Sequence, residues 1–286
     1  MPDRLTVTAP ASSANLGPGY DCLAVALELR NEVVVSASGD GTVSLAGEGA
    51  AGLPADASNL FVRAFAAAGA DPSGLSFAMR NGIPLARGLG SSAATIAAGV
   101  AAGLAWAGRE ADPLPAAAAM EGHPDNVAAA LLGGVTVAWT AGGEARALRL
   151  ASCPVDFVCV VAADELETAR ARAALPAQVA HTDAAHTAGR AALLVAALEA
   201  GRGDAISDAL DDRLHEPFRA PLVPLLAEVR GRICGLPAYG ATLSGAGPSV
   251  LVWCEPGSGE AVAAALDGLG ARPIPLAVAE RGVTVG

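Results

Sequence analysis

The sequence predicts a mixed fold of helices and strands, of the α+β or mixed α/β class, arranged as two domains. Strand-like and helix-like stretches alternate in both halves of the chain. The 286 residues suit two domains better than one, and a hydrophobic content of 52% supplies ample material for a core. The segment 141–154 separates the halves, so we expect domains at 1–150 and 151–286.

The first half begins with two strands, at 4–9 and 32–37, where β-branched residues alternate or run together. We expect a polar, glycine-rich turn at 11–21 between these strands. Ser58 is in position to cap a helix over 59–69. The other elements predicted here are strands at 42–46, 75–80 and 135–139, and helices at 91–107, at 113–121 and up to about 132.

The second half opens with a strand at 155–162, whose residues are almost all apolar. Two later strands, at 238–244 and 249–254, flank a glycine-rich turn of sequence SGAGPS. The remaining elements predicted here are helices at 184–200, 203–213, 221–230 and 258–268, and a strand at 274–279.

The charge of the chain excludes several classes of partner. The net charge of −11 argues against a nucleic acid or an anionic membrane. All 18 basic residues are arginine, and the chain contains no lysine. The uncharged stretch 88–108 has the length of a membrane span but consists mostly of alanine and glycine, so a buried core helix explains it better.

Cysteine and histidine spacings predict reduced thiols and no zinc site. The five cysteines form no CxxC pair, and His181 and His186 have the wrong spacing for one helix face. Cys22 has no base near it in sequence, so we interpret it as a packing residue. The first ten residues lack a hydrophobic signal segment, and we therefore expect a cytosolic protein.

The segment PLARGLGSSAA, residues 84–94, is the strongest functional signal. Gly88 and Gly90 have no Cβ, so an anion can approach the backbone closely there. Ser91 and Ser92 stand where an N-cap is expected, next to amides that a helix leaves unpaired. The combination predicts a phosphate-binding helix start.

This loop is not a Walker loop, because GxxxxGK[ST] does not occur. P-loop NTPases and protein kinases contact the phosphates of ATP with a lysine. This chain has no lysine, so any binding of ATP by it must use other groups. Three further polar segments occur at 10–21, 121–126 and 242–249. Each alone reads equally well as a turn, and only their order along the chain is specific.

In that order the four segments, PASSANLGPGYD, PLARGLGSSAA, EGHPDN and SGAGPS, resemble those of the GHMP small-molecule kinases, and within them the homoserine kinase subfamily. The resemblance covers nearly the whole chain. It implies an N-terminal ATP-binding domain of the ribosomal S5 domain 2-like fold and a ferredoxin-like α/β C-terminal domain. It also implies that ATP phosphorylates the side-chain hydroxyl of L-homoserine, in threonine biosynthesis, in a homodimeric cytoplasmic enzyme that uses Mg²⁺.

The resemblance also assigns roles to residues. It places the nucleotide at Asn59, Leu60, Pro84, Arg87, Gly88, Leu89, Gly90, Ser91, Ser92 and Ala93. It places Mg²⁺ at Ser91 and Glu121, and it gives the catalytic positions as His123, Asp125 and Asn126, with Asp125 positioning first and acting as a base second. The substrate would lie against His123, Asp125, Asn126, Asn15, Asp21 and Gly245, with Arg172 and Arg219 binding its carboxylate.

The chain departs from the subfamily pattern in three places. Ala119 stands where the subfamily carries a second glutamate that binds Mg²⁺, Tyr20 replaces a phenylalanine, and Ala24 replaces a frequent glycine. The Tyr20 hydroxyl adds a polar group near the expected substrate position.

Three functions therefore stay open from the sequence, besides a weakly supported dinucleotide oxidoreductase. They are homoserine kinase, a divergent kinase for another small amino alcohol, and a binding protein that has lost catalysis.

Overall fold

The computed structural model describes residues 2–37 and 41–286. The strands of these residues form one sheet of seven strands and one of four. The strands are β1 (Arg4–Asn15), β2 (Gly19–Ser36), β3 (Val43–Gly47), β4 (Ser76–Asn81), β5 (Val135–Ala141), β6 (Glu144–Arg149), β7 (Asp156–Val161), β8 (Ala238–Leu243), β9 (Val250–Cys254), β10 (Arg272–Leu276) and β11 (Thr284–Val285).

The first sheet is organised around the long strand β2. Its 18 residues pair with β1 along most of their length, with β4 through Glu32–Ser36, and with β5 through Leu23–Val25. The order is β11-β1-β2-β4-β3, and β6 extends the sheet beyond β5. Among the strands of the described residues, only β3 and β4 pair in parallel. The last strand, β11, returns to pair with β1, so the C-terminal residues complete the first sheet.

The second sheet is antiparallel, with the order β10-β7-β9-β8. Its strands come from residues 156–276. The helices are α1 (Leu60–Ala67), α2 (Ser91–Trp106), α3 (Pro113–Glu121), α4 (Asp125–Leu132), α5 (Thr168–Ala173), α6 (His181–Ala200), α7 (Gly203–Ala209), α8 (Glu216–Arg219), α9 (Pro224–Arg232) and α10 (Gly259–Ala265), with a 3₁₀ turn at Ala220–Leu222.

These elements confirm the mixed two-domain fold and most of the predicted strands and helices. The helix pattern was clearest for α2, whose alanine and glycine face is buried, and the strand pattern was clearest for β7. The boundary between 1–150 and 151–286 stays a prediction, and β11 shows that the first sheet also recruits residues from the far end of the chain.

The predicted turn at 11–21 is wrong for most of its length. β1 runs to Asn15 and β2 starts at Gly19, which leaves only residues 16–18 as the turn. Ser12 and Ser13 are polar, which favoured a turn, yet both are fully buried. They stay in the strand because their hydroxyls have partners on other segments, as burial of a polar group requires.

Local capping also differs from the prediction. Asn59, not Ser58, caps α1, because its side chain accepts from Phe61 N–H at 2.9 Å while the Ser58 hydroxyl bonds Asp56. Either residue type is a good N-cap, and the loop geometry decides between them. The segment 141–154 includes β6, which pairs with β5. The short elements α5, α8 and β11 were not predicted, since four to six residues carry too little periodicity, and β11 has two.

Helices α1 and α2 pack closely because α2 carries glycines where they meet. A Cβ at Gly99 would lie 2.7 Å from the Phe61 carbonyl oxygen, and one at Gly103 would collide with the Phe65 carbonyl. Phe61 and Phe65 are fully buried and pack against Phe77 and Trp106 with ring centroids 5.6–6.4 Å apart. This aromatic group holds α1 against the second half of α2.

In the part of the chain that the structure describes, no helix combines the length and the apolar character that crossing a bilayer requires. The uncharged stretch 88–108 forms α2 together with the loop before it, and α2 is packed in the protein core.

Replacing Gly103 with alanine should destabilise the protein. The added methyl group would overlap the Phe65 carbonyl and approach Ala68 Cβ to 2.8 Å, so α1 and α2 must separate. We expect Gly103→Ala to lower the free energy of unfolding by about 1–3 kcal/mol, measured by urea denaturation.

The matched control is Gly189→Ala in α6, where no atom outside the local helix lies within 4 Å of the added Cβ. Because alanine favours helix over glycine, this variant should gain about 0.5–1 kcal/mol. Equal stabilities for Gly103→Ala and the parent would contradict close packing at this position.

Candidate functional site

The described residues form a cavity of about 500 Å³ where β1, the loop before α2, the segment before α1, and residues near α5, α8 and β8 converge. This size is typical of small-ligand sites. Of the residues predicted for nucleotide, substrate and metal, those on its wall are Asn15, Asp21, Asn59, Leu60, Pro84, Arg87, Gly88, Leu89, Gly90, Ser91, Ser92, Glu121, His123, Asp125, Asn126, Arg172, Arg219 and Gly245. Ala93 is fully buried in the core and is not on this wall.

The loop before α2 exposes unpaired backbone amides to the cavity. Gly88 and Gly90 have φ of +73° and +63°, in the left-handed region that glycine adopts readily. Gly90 is the N-cap, so the expectation that a serine would cap the helix is wrong; Ser91 and Ser92 form its first turn. The first helical bond joins Ala94 N–H to the Gly90 carbonyl, which leaves the amides of residues 91–93 unused by the helix.

Glycine is also required at position 88 by close packing with the second sheet. A Cβ there would overlap the Ser244 carbonyl oxygen and lie 2.8 Å from that of Gly247. The Ser244 hydroxyl donates to the Gly88 carbonyl at 2.7 Å and lies 2.9 Å from the Ser13 hydroxyl. The loop before α2, strand β1 and the SGAGPS turn therefore meet through backbone atoms and small side chains.

Arg87 lies on the cavity wall, but its guanidinium is bonded mainly to other parts of the protein. Its guanidinium donates to the carbonyls of Leu85, Ala162 and Ala163 and lies 3.3 Å from Glu165. These bonds tie the loop to the segment that follows β7. Most of the Arg87 donors are therefore used within the protein, and its expected role in binding the nucleotide stays a prediction.

Apolar residues line the part of the cavity beside α1. They were not predicted, and they are Leu45, Leu53, Pro54 and Met79. Asn59 lies among them, but its side chain is hydrogen-bonded to the backbone. It accepts from Phe61 N–H and donates to the Pro54 carbonyl at 2.8 Å. An apolar wall with peptide groups at its edge suits a flat heterocycle. No local motif marks these four residues, because they come from three separate segments.

Glu121 and Ser92 form a polar pair on the cavity wall. The Ser92 hydroxyl donates to Glu121 Oε1 at 2.7 Å, and burial raises the pKa of Glu121 above its ordinary value. Ala119 is exposed on α3 and is not on the wall, so the structure argues against the expectation that Ala119 occupies a metal-binding position. Across residues 2–37 and 41–286, no group of three or more His, Cys, Asp or Glu side chains could hold a metal.

His123, Asp125 and Asn126 form one hydrogen-bonded unit at the start of α4. Asp125 is 2% exposed, and its Oδ1 lies 2.9 Å from His123 Nδ1 and 2.7 Å from Asn126 N–H, which donates to it. The hydrogen bond to Asp125 raises the pKa of His123. Ser12 Oγ donates to Asn126 Oδ1 at 2.8 Å. The Asn126 NH₂ and His123 Nε2 make no hydrogen bond within the described residues, which leaves both for a ligand.

Asn15 joins the two glycine-rich segments at the ends of the chain. Its side-chain amide donates to the Gly245 carbonyl at 2.7 Å, and its oxygen accepts from Asp21 N–H at 3.0 Å. Asn15, Leu16 and Asp21 all have positive φ, from 49° to 68°. The tight turn is thus held by the same side chain that was expected to contact substrate.

Asp21 and Arg172 form an ion pair across the cavity opening. Arg172 donates from both terminal nitrogens to the Asp21 carboxylate, at 2.9 and 3.0 Å, and from Nη1 to the Tyr20 hydroxyl at 2.8 Å. Both charged side chains are partly exposed, so solvent weakens the pair and a charged ligand can compete for it.

Arg219 is 1% exposed, yet it reaches the cavity. Its Nε donates to the Ala171 carbonyl at 3.3 Å, and its Nη1 lies 3.1 Å from His215 Nδ1. Its Nη2 makes no hydrogen bond within the described residues. Burial lowers the pKa of both Arg219 and His215, so the neutral imidazole accepts from the guanidinium. His215 Nε2 in turn donates to the Gly17 carbonyl at 2.8 Å.

The five cysteines are free thiols, as expected. Burial raises the pKa of Cys22, and Cys22 is not among the residues that line the cavity. It therefore has the character of a packing residue and not of a nucleophile.

Comparison with known families decides the family of this chain. The GHMP kinases N terminal domain matches residues 57–134, and the GHMP kinases C terminal domain matches residues 194–271. The chain belongs to the GHMP kinase family. Members of this family are ATP-dependent small-molecule kinases. The loop before α2 and the cavity therefore belong to a phosphotransferase.

Individual relatives agree with this assignment. The chain is 43% identical to the homoserine kinase of Streptomyces avermitilis, over 95% of this chain and 96% of the relative. It is also similar to the crystal structure of homoserine kinase from Cytophaga hutchinsonii, with a TM-score of 0.88, 28% identity, and coverage of 100% and 98% of the two chains. Streptococcus pneumoniae phosphomevalonate kinase, at 13% identity and a TM-score of 0.74, shares the fold.

Replacing Gly88 with alanine should impair ATP use in this GHMP kinase. The methyl group would force the loop away from Ser244 and displace the amides at the start of α2. We expect Gly88→Ala to raise KM for ATP at least tenfold in an ADP-release assay.

Gly74→Ala is its matched control, since Gly74 has nearly the same φ, +74°, but no atom within 4 Å of the added Cβ. It should carry the same backbone strain with little effect on KM for ATP. An unchanged KM in both variants, with folding confirmed by circular dichroism, would argue against loop position as the cause.

Proposed function

We propose that this GHMP kinase transfers the γ-phosphoryl group of ATP to the side-chain hydroxyl of L-homoserine and forms O-phospho-L-homoserine, a reaction of threonine biosynthesis. The observation that carries the proposal is the placement of opposite charges at one end of the cavity. Arg172 pairs with Asp21, Arg172 and Arg219 both lie near the Tyr20 ring, and these charged residues share the cavity with the loop before α2. An amino acid carries both complementary charges on one carbon atom.

The carboxylate of the substrate has two guanidinium groups to bind. Arg219 has an unused Nη2, and its burial favours an anionic partner for its charge. Arg172 is held by Asp21 in a bidentate pair, the geometry that a second carboxylate can replace. Asp21 is then available to the substrate ammonium group. Sugars and mevalonate lack this pair of charges, which supports an amino-acid substrate.

The acceptor hydroxyl is expected beside Asn126 and His123. Their unused nitrogens would orient the hydroxyl oxygen, and buried Asp125 holds both residues in place. Because Asp125 Oδ1 already accepts two hydrogen bonds, its role as a positioning group comes before its role as a base. Phosphoryl transfer depends mainly on alignment and charge neutralisation, so such an arrangement suffices without covalent catalysis.

The backbone amides of Ser91 and Ser92, in the first turn of α2, would hold the phosphate oxygens. The apolar wall beside Asn59 and Leu60 would hold the base of the nucleotide. Mg²⁺ commonly binds one or two carboxylates together with substrate phosphates, and it neutralises phosphate charge when it is bound. The Ser92–Glu121 pair fits this need, since it offers one carboxylate and one hydroxyl on the wall. We propose Glu121 with Ser92, and Ser91 as a further candidate, as the residues that hold it.

We propose a cytosolic location, which the free thiols support. The net charge of −11 supports a small molecule, and not a nucleic acid or a membrane, as the partner. The homodimer stays a prediction from the family resemblance.

The decisive experiment measures ADP release with homoserine, threonine, serine and mevalonate as acceptors. We expect kcat/KM for L-homoserine to exceed that for each other acceptor at least a hundredfold. Preference for another amino alcohol would indicate a divergent kinase. ATP binding without turnover of any acceptor would indicate a protein that has lost catalysis, and either result would overturn the proposal.

The metal assignment has its own test. Glu121→Gln should raise the Mg²⁺ concentration needed for half-maximal activity at least fivefold, because the variant removes the carboxylate of the Ser92–Glu121 pair.

Ala119→Glu adds a carboxylate to an exposed position outside the cavity and serves as the matched control. Its Mg²⁺ titration should overlay that of the parent. A shift with Ala119→Glu and none with Glu121→Gln would reverse the assignment.

A further inference from the structure

Tyr20 lies beside both of the arginines proposed to bind the substrate carboxylate. The Cζ atoms of Arg172 and Arg219 lie 5.7 and 5.4 Å from the centroid of its ring. Both distances are within the range of cation–π attraction. One aromatic ring thus contacts two positive groups that otherwise repel each other.

The Tyr20 hydroxyl makes a second, directional contact. It accepts a hydrogen bond from Arg172 Nη1 at 2.8 Å. Burial, followed by the negative charge of Asp21, raises the pKa of the Tyr20 phenol, so the hydroxyl stays neutral at physiological pH. A neutral oxygen can accept from Arg172 without competing for the charge that the arginine offers to a ligand.

The Tyr20 ring also packs against His215. The two ring centroids lie 5.3 Å apart, and His215 also contacts Arg219 and the Gly17 carbonyl. Because His215 is fully buried, the Tyr20 ring rests against a fixed surface. The position of the ring therefore determines the spacing of the two guanidinium groups.

We propose that Tyr20 is a positioning residue that holds Arg172 and Arg219 at the spacing required by the substrate carboxylate. The inference rests on the proposed function. When the substrate ammonium group takes Asp21, Arg172 loses both of its hydrogen bonds to that carboxylate. The Tyr20 hydroxyl is the remaining hydrogen-bond partner that Arg172 has within the described residues, and it keeps the guanidinium in the site.

The test compares Tyr20→Phe, which removes only the hydroxyl, with Tyr20→Leu, which also removes the ring. We expect Tyr20→Phe to raise KM for L-homoserine about tenfold and Tyr20→Leu to raise it further, with KM for ATP and kcat within twofold of the parent. The inhibition constant of L-2-aminobutyrate, which has both charges but no hydroxyl, should rise in parallel. This constant reports binding and does not depend on phosphoryl transfer.

Tyr239→Phe is the matched control, since Tyr239 is the second of the two tyrosines in the chain and lies at Gly203, away from the cavity. It should leave every constant unchanged. Unaltered homoserine constants in Tyr20→Phe, or an equal rise in KM for ATP, would overturn the role of Tyr20 while the kinase activity stands. No homoserine turnover by the parent protein would overturn the proposed function and this inference with it.

Discussion

The site depends on the close approach of three backbone segments that leave space only for small side chains. Gly88 packs directly on Ser244, and the Gly245 amide donates to the Ala14 carbonyl at 3.2 Å. Asn15 adds a hydrogen bond to the Gly245 carbonyl. These contacts join the first sheet to the turn of the second. The open amides at the start of α2 and the charged residues at the substrate end therefore have a fixed relation to one another.

The arginines of this acidic protein differ in how far their hydrogen-bond donors are already used within the protein. Arg87 donates hydrogen bonds to backbone carbonyls and so stabilises the loop before α2. Arg172 and Arg219, by contrast, keep capacity for a ligand: one is held by a pair that a ligand can replace, and the other has an unused nitrogen. Arginine suits these separate tasks because its planar group can bond to several acceptors in fixed directions.

Much of the site could be predicted from the sequence because its residues lie in short, dense motifs. The glycines of the loop, the EGHPDN segment, Arg172 and Arg219 all reach one cavity. The apolar wall could not be predicted, since Leu45, Leu53 and Met79 come from separate segments with ordinary compositions. Ser12 and Ser13 were assigned to a turn because their burial depends on partners more than 100 residues away.

The sequence by itself determined the order of most helices and strands, the glycine-rich loop before α2 and the family. These depend on local patterns of glycine, proline and apolar residues. The tertiary structure decided which predicted residues are free to act. It bonded Arg87 and Asn59 to the backbone, left Ala119 outside the cavity, and brought Tyr20 close to two arginines. The physical reason is that a polar group has few bonding positions, and distant segments of the chain determine which of them are already taken.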